Sequence, residues 1–194
     1  ILHFCKTNGK IYSGGDVMNT KNFVLSYYKN STENFHIHKP DKTPDALIPH
    51  THDYFQIYFI SKGSLVHHVE NESAQLSQGD MFIIPPGTTH YISPAPGAVF
   101  YSFSFMESMF PEQNPGYKLA RSFLRSLLAE ENKYVKPRIS VGSEEVFYIE
   151  GIMAHILKEF TEKPIAYGDT IQAYTQILLT ILAREYFSVA SHNI

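Results

Sequence analysis

The first 105 residues contain many short apolar runs separated by turn residues, and this pattern restricts the possible folds more than any other feature of the chain. The runs are rich in aromatic and β-branched residues, which is typical of β-strands. They are FVLSYYK (23–29), 34–39, YFQIYFIS (54–61), 64–70, 80–85, 89–93 and AVFYSFSF (98–105). The segments between them, such as KPDKTPD, NES, SQGD and SPAPG, are rich in Pro, Gly, Asp and Ser and are typical of turns. So many short strands at this spacing predict a β-sandwich or barrel.

The periodicity becomes helical after residue 110. The segment 116–132 places Leu119, Phe123 and Leu127 on one face of a helix. A second helix is expected to begin at Ser143 as N-cap and to end before Pro164. Its apolar seam is Val146, Ile149, Met153, Ile156 and Phe160.

A third predicted helix ends at about Tyr186, and its apolar stripe includes Ile171, Tyr174, Leu178 and Ile181. The predicted fold class is therefore mainly β with C-terminal α. We expect a barrel with an N-terminal arm over residues 1–110 and a helical segment packed on it over residues 111–194.

Residues 50–60 are apolar on both faces if they form a strand. Alternation places His50, His52, Tyr54, Gln56, Tyr58 and Ile60 on one face and Phe55, Ile57 and Phe59 on the other. A strand of this kind is buried on both sides. One face would look into the barrel, and the C-terminal helices are the available cover for the other.

Two segments resemble the two cupin motifs. In the first motif His50, His52 and Gly63 match, while Gln56 stands where the family has Glu and Pro44 replaces the leading Gly. In the second motif Gly79, Pro85, Gly87 and His90 match, and Pro94 replaces the Asn. The resemblance implies a cupin (jelly-roll) β-barrel in which these positions converge.

In cupins the matching side chains bind a divalent metal, so the resemblance implies a site of His50, His52, Gln56 and His90 for Zn, Fe, Ni or Cu. Gln56 is a neutral and poorer ligand than a carboxylate, although three imidazoles can still hold a transition metal. The alternative is a metal-free pocket for an organic ligand, to which Tyr54 and Tyr58 would add stacking and hydroxyl hydrogen bonds.

Other histidines are less informative. His36 and His38 share one face of a predicted strand, where they would either bind a ligand or occupy a solvated or rim position beside Lys39, and we expect the latter. His67 and His68 point to opposite faces, and the sequence assigns a role to neither.

A cupin barrel followed by amphipathic helices resembles the sensor half of AraC-type transcription regulators. The resemblance covers residues from about 20 to 187. It implies a small-molecule effector in the barrel and a homodimer formed through the last helix, with Ile171, Tyr174, Leu178 and Ile181 as its seam. It also implies that DNA is bound only through a helix-turn-helix domain, which we do not find in this chain.

Composition agrees with this interpretation. The net charge of −3 gives no argument for nucleic-acid binding, and the single cysteine, Cys5, fits a reducing cytoplasm. No apolar run is long enough to cross a membrane. The alternative function is a metal-dependent cupin enzyme, such as a dioxygenase or isomerase, but Gln56 removes the carboxylate that facial-triad iron chemistry needs. We therefore expect a binding domain and no enzyme.

Overall fold

The structure is a computed structural model that describes residues 21–23, 33–44, 48–129, 138–140 and 143–191. Its strands are β1 (Lys21–Phe23), β2 (Phe35–His38), β3 (His50–His52), β4 (Phe55–Lys62), β5 (Ser64–Val69), β6 (Glu72–Ser77), β7 (Asp80–Ile84), β8 (His90–Pro94), β9 (Val99–Phe105) and β10 (Arg138–Ser140). Its helices are α1 (Lys118–Leu128), α2 (Ser143–Glu162) and α3 (Tyr167–Ser191). Most of the predicted run 23–29, together with Cys5 and the N-terminal arm, lies outside the described residues.

The strands form two five-stranded sheets. One sheet has the order β1-β3-β8-β5-β6, and the other has the order β10-β7-β4-β9-β2. All neighbours are antiparallel except β1 and β3. Consecutive strands β3 and β4 belong to different sheets, so the predicted single strand 50–60 is interrupted at Asp53 and Tyr54.

Strand β4 separates two apolar cores, as its sequence predicts. Phe55, Ile57 and Phe59 belong to the larger core, which includes the buried faces of all three helices. Tyr58 and Ile60 belong to the smaller core between the two sheets. Since the whole of residues 55–60 is buried, the helices are the outer cover of the barrel.

The helices bury the stripes expected from their periodicity, with one exception. Ile149, Met153 and Ile156 of α2 are buried, and Ile171 and Leu178 of α3 are completely buried. Leu119 is the exception, because the buried face of α1 includes Phe123 and Leu127 but is centred on the side of Ala120 and Leu124. Its buried residues are Ala120, Phe123, Leu124 and Leu127, whereas Leu119 is 40% exposed.

Two strands were not predicted. β6 is an edge strand of mostly exposed polar residues with one buried apolar side chain, Leu76, so it lacks the apolar pattern of a strand. β10 is a three-residue strand between α1 and α2 that pairs with β7. The segment after residue 110 therefore also contributes to the barrel.

A glycine fixes the contact between α2 and the barrel. Gly79, in the turn between β6 and β7, has φ +87°, and a Cβ atom there would lie 2.8 Å from Val146 Cγ2. Only glycine combines this left-handed backbone with so close an approach to the helix. The motif glycine thus serves packing between the two halves of the chain.

Candidate functional site in the barrel

The two motifs meet because β3 and β8 are neighbours in one sheet. His50 is paired directly with His90. The turn before β8 is attached to β3 by the Gly87 amide, which donates to the His52 carbonyl at 2.8 Å. Gly87 has φ +80°, a backbone conformation in which other residues are strained. The spacing of the second motif therefore holds its histidine against the two histidines of the first.

The imidazoles form one buried cluster in the barrel. The ring centroids of His50 and His90 are 4.3 Å apart, those of His52 and His90 are 4.8 Å apart, and those of His50 and His52 are 6.3 Å apart. The three residues are at most 7% exposed. The sequence thus correctly predicts that these side chains converge in the barrel interior.

Gln56 connects the cluster to the opposite sheet. Its Oε1 lies 3.2 Å from His90 Nε2, and its Nε2 donates to Ser102 Oγ at 2.9 Å. His90 Nδ1 also lies 3.2 Å from the Thr88 carbonyl, so a neutral His90 donates to one of these two oxygens, according to its tautomer. The residue that replaces the motif carboxylate is therefore a hydrogen-bonding link between the sheets.

Neither ring nitrogen of His52 makes a hydrogen bond of normal geometry with a described residue, although the Tyr54 backbone and the Gln56 side chain lie close enough to raise its pKa. Its ring is stacked on Tyr54, with centroids 4.2 Å apart and planes 7° apart, and it is 1% exposed. His50, in contrast, places Nδ1 2.9 Å from the Ile48 carbonyl. An imidazole buried without a partner is unusual, since nearly all buried polar groups are hydrogen-bonded.

The same groups were predicted as metal ligands, and the structure allows a test of that fit. Within the described part of the chain, no three His, Cys, Asp or Glu side chains are arranged to hold one metal ion. His90 Nε2 already faces the Gln56 amide. The side chains as placed do not fit a divalent metal, so we derive no step through one.

Burial keeps the imidazoles neutral. Together with the neighbouring His50, and against a smaller opposing effect of the Tyr54 backbone and the Gln56 side chain, burial lowers the pKa of His52 to about 4. Burial also holds the pKa of His90 well below its usual value, with additional repulsion from His50, His52 and His67. The pKa of His50 is lowered for the same reason and is partly restored by its bond to the Ile48 backbone. Neutral imidazoles can both donate and accept hydrogen bonds.

A fourth histidine completes the cluster, and the sequence analysis missed it. His67 of β5 is 1% exposed, and its ring lies 5.5 Å from that of His90 and edge-on to Phe82 at 4.0 Å. Its cross-strand partner is Ile92, which faces the inner core. Leu65, His67 and Val69 alternate on one face, and this signal identifies His67, rather than His68, as the inward residue.

The remaining predicted site residues are divided between two regions. Tyr58 is buried in the inner core, 6.4 Å from the His67 ring and 5.7 Å from the Phe100 ring. On α3, Ile171 and Leu178 are completely buried within the chain itself. They are therefore covered by this protomer, and Tyr174 and Ile181 are the half-buried members of the predicted seam.

Comparison with known families agrees with the motifs. The family model described as "AraC-like ligand binding domain" matches residues 37–113, which include all four histidines of the cluster and Gln56. Together with the two-sheet topology, this match confirms the predicted cupin-like, mainly β fold with C-terminal helices. No curated protein matches the chain.

Several solved cupin structures are similar over part of the chain. A cupin-2 domain protein from Shewanella frigidimarina is 17% identical, with a TM-score of 0.35, over 39% of this chain and 74% of its own. A cupin-like protein from Thermotoga maritima is 23% identical, with a TM-score of 0.37, over 45% and 68%. A variant of oxalate decarboxylase from Bacillus subtilis is 20% identical, with a TM-score of 0.34, over 52% and 32%. Among the helices described here, none has the length and apolar character needed to cross a membrane.

The lowered pKa of His52 predicts acid sensitivity. Between pH 6.5 and pH 4 the unfolded chain binds a proton at this residue and the folded chain does not, so stability falls as the pH is lowered through this range. We expect His52 to account for about 2–3 kcal/mol of that loss. Urea unfolding of the wild type and His52→Gln at pH 7.5 and 4.5 measures it.

His155→Gln is the matched control, because His155 is an exposed histidine on α2. The His52→Gln variant should lose less stability on acidification than either the wild type or this control. Equal losses in all three proteins would contradict the prediction.

Proposed function

We propose that the chain is the effector-sensing and dimerisation domain of a bacterial AraC-type transcription regulator, acting in the cytoplasm on an attached DNA-binding domain. The observation that carries the proposal is the His52 imidazole, buried in the barrel beside three other histidines with both nitrogens unpartnered among the described residues. A small-molecule effector would supply the missing partners. The family match over residues 37–113 supports a ligand-binding role for the same region.

The energetics favour a ligand at this position. An unsatisfied buried polar group costs about 1–3 kcal/mol, and a ligand that bonds to it recovers that cost. Tyr54 and Tyr58 add aromatic surface beside the imidazoles. The predicted ligand-binding residues are therefore all buried in one region, although their individual roles stay predictions.

Strand β2 offers a route from the barrel to the helices. Phe35 packs edge-on against Phe160 of α2, 6.2 Å away, and against Tyr167 of α3, 6.3 Å away. Just before β2, Glu33 accepts from Lys163 Nζ at 2.6 Å and from the Tyr167 hydroxyl. An effector that prefers one position of β2 would shift the helices by its differential affinity for the two states.

We infer a binding function rather than an enzymatic one. Gln56 is a neutral link to Ser102 and His90, whereas facial-triad chemistry requires a carboxylate among the metal ligands. The metal-dependent dioxygenase or isomerase remains the alternative, and its signature is turnover of a bound compound.

The test uses the complete gene product. A compound that binds the domain at 100 times its Kd should stabilise it by about 2.7 kcal/mol, or about 5–10 °C in Tm. The same compound should change the affinity of the full-length protein for its promoter DNA. Thermal denaturation and DNA titration measure the two effects.

His52→Ala should lose the response to the compound, and His68→Ala, on the outer side of the same sheet, should retain it. A compound that is converted to product would favour the enzyme instead. A full-length protein that binds no DNA would eliminate the regulator.

Metal binding at the histidine cluster can be tested separately from effector binding. If the missing carboxylate is what withholds a metal, Gln56→Glu should bind one Zn or Ni per chain at least about tenfold more tightly than the wild type, since it supplies the anionic ligand these sites use. Metal titration with elemental analysis measures both proteins. Ser102→Ala, which disturbs the same network without adding a carboxylate, is the control. Stoichiometric metal in the wild type would show that three histidines and Gln56 suffice.

We further propose that the chain forms a homodimer through the outer face of α3. Ile177 is 40% exposed and lies on the same side of the helix as Tyr174 and Ile181. Ile177→Glu should therefore shift the protein from dimer to monomer in sedimentation velocity.

Ile165→Glu is the control for the dimer test, because Ile165 is 99% exposed in the turn between α2 and α3. It should leave the dimer intact. A dimer that survives Ile177→Glu would place the interface elsewhere.

A further inference from the structure

The inner surface of the second sheet carries polar residues that the motifs do not include. In the register of this sheet His38 is paired with Ser102, and Ser102 is paired with Tyr58. Side chains of directly paired residues lie on the same face. Tyr58 belongs to the inner core, so His38 and Ser102 also belong to the barrel side of the sheet. His38 is half-buried on the edge strand, as expected of a rim position, and its side chain lies on the barrel side of the sheet.

This polar row is continuous with the histidine cluster. Ser102 accepts from Gln56 Nε2 at 2.9 Å, and Gln56 Oε1 faces His90 Nε2 at 3.2 Å. Ser102 is 1% exposed, and Ser104, one pair further along the sheet, is 2% exposed. Hydrogen bonds thus link His90 of β8 through Gln56 to Ser102 of β9, and His38 of the edge strand β2 is the register partner of Ser102.

The row differs in chemistry from the opposite end of the barrel. That end is lined by Ile60, Phe100, Leu65 and Leu76. Its buried carboxylate, Asp80, accepts from the Ser77 amide at 2.8 Å in the turn between β6 and β7. At the polar end the groups are imidazole, hydroxyl and amide. Burial lowers the pKa of His38 to about 4, so its imidazole is neutral at physiological pH.

A site lined by neutral hydrogen-bond donors and acceptors favours uncharged polar ligands over ions. A buried ion needs an opposite charge within a few ångströms. Without one, the hydration free energy that the ion loses on burial exceeds the free energy that it gains from neutral dipoles. Hydroxyl and amide groups of a ligand, in contrast, pair well with imidazole, serine and glutamine side chains. The polar end of the barrel matches the second kind of ligand.

We propose that the ligand site extends from the histidine cluster across Gln56 to Ser102 and His38, and that its ligand is an uncharged molecule with several hydroxyl or amide groups. This inference rests on the proposed function and specifies its effector. Ser102 binds the ligand directly and also orients Gln56. His38 contacts the ligand from β2, the strand that packs against the helices.

The test is a binding screen with charge-matched sets of compounds. Each set has one skeleton in a neutral, an anionic and a cationic form, for example glucose with gluconate and glucosamine, or benzamide with benzoate and benzylamine. Ligand-observed NMR and thermal denaturation on the wild-type chain rank the three forms. We expect the neutral form to bind at least about tenfold more tightly than either ion in the sets that bind.

Variants then locate the site. Ser102→Ala and His38→Gln should each weaken the neutral ligand by about tenfold, the loss of one hydrogen bond in a buried site. Ser93→Ala is the control, since Ser93 forms a similar serine–histidine contact, 3.3 Å from His68 Nε2, on the outer side of the other sheet. It should leave binding unchanged.

The outcomes separate this inference from the function on which it rests. Preference for an anionic or cationic form would overturn the ligand class and leave the sensor proposal intact. Equal binding by Ser102→Ala, His38→Gln and Ser93→Ala would overturn the extension of the site. Failure of every set to bind the wild-type chain would count against the sensor function itself.

Discussion

Burial of β4 on both faces is the constraint on which the rest of the structure depends. Its outward residues Phe55, Ile57 and Phe59 require a cover, and the three helices provide it. Its inward residues begin with Gln56 at the polar end and continue to Ile60 at the apolar end. A strand with only one buried face would need no helices over its outer side.

The sequence predicts the part of the site that depends on positions along a strand. His50 and His52 are two residues apart and therefore share a face, and the motif spacing places His90 opposite them. The site residues that strand pairing brings together could not be predicted, because the sequence of one strand does not show how β2, β9 and β4 pair. His38 and Ser102 are for this reason absent from the predicted site. His67 was within reach of the same alternation argument, but its neighbour His68 made the direction ambiguous.

The exchange of the motif Glu for Gln changes what holds the two sheets together at the site. A carboxylate between imidazoles would favour a metal ion or protonated histidines, since either would neutralise its charge. The amide instead donates to Ser102 through Nε2 and places its Oε1 3.2 Å from His90 Nε2. Three of the four positions that bind metal in cupins are thus retained, while the fourth has become part of a neutral hydrogen-bond network.

A neutral network makes the buried histidines compatible with a stable fold and, under the proposed function, lets them pair with a ligand. Neutral imidazoles avoid mutual repulsion, which four protonated rings in one barrel could not do. They still leave the His52 nitrogens unpaired among the described residues, at a cost that a bound ligand would remove. Since β2 contributes to the polar row with one face and packs Phe35 against α2 and α3 with the other, a change at the row reaches the helices through a single strand. Under the proposed function, this strand would carry free energy gained at the imidazoles to the helix surface.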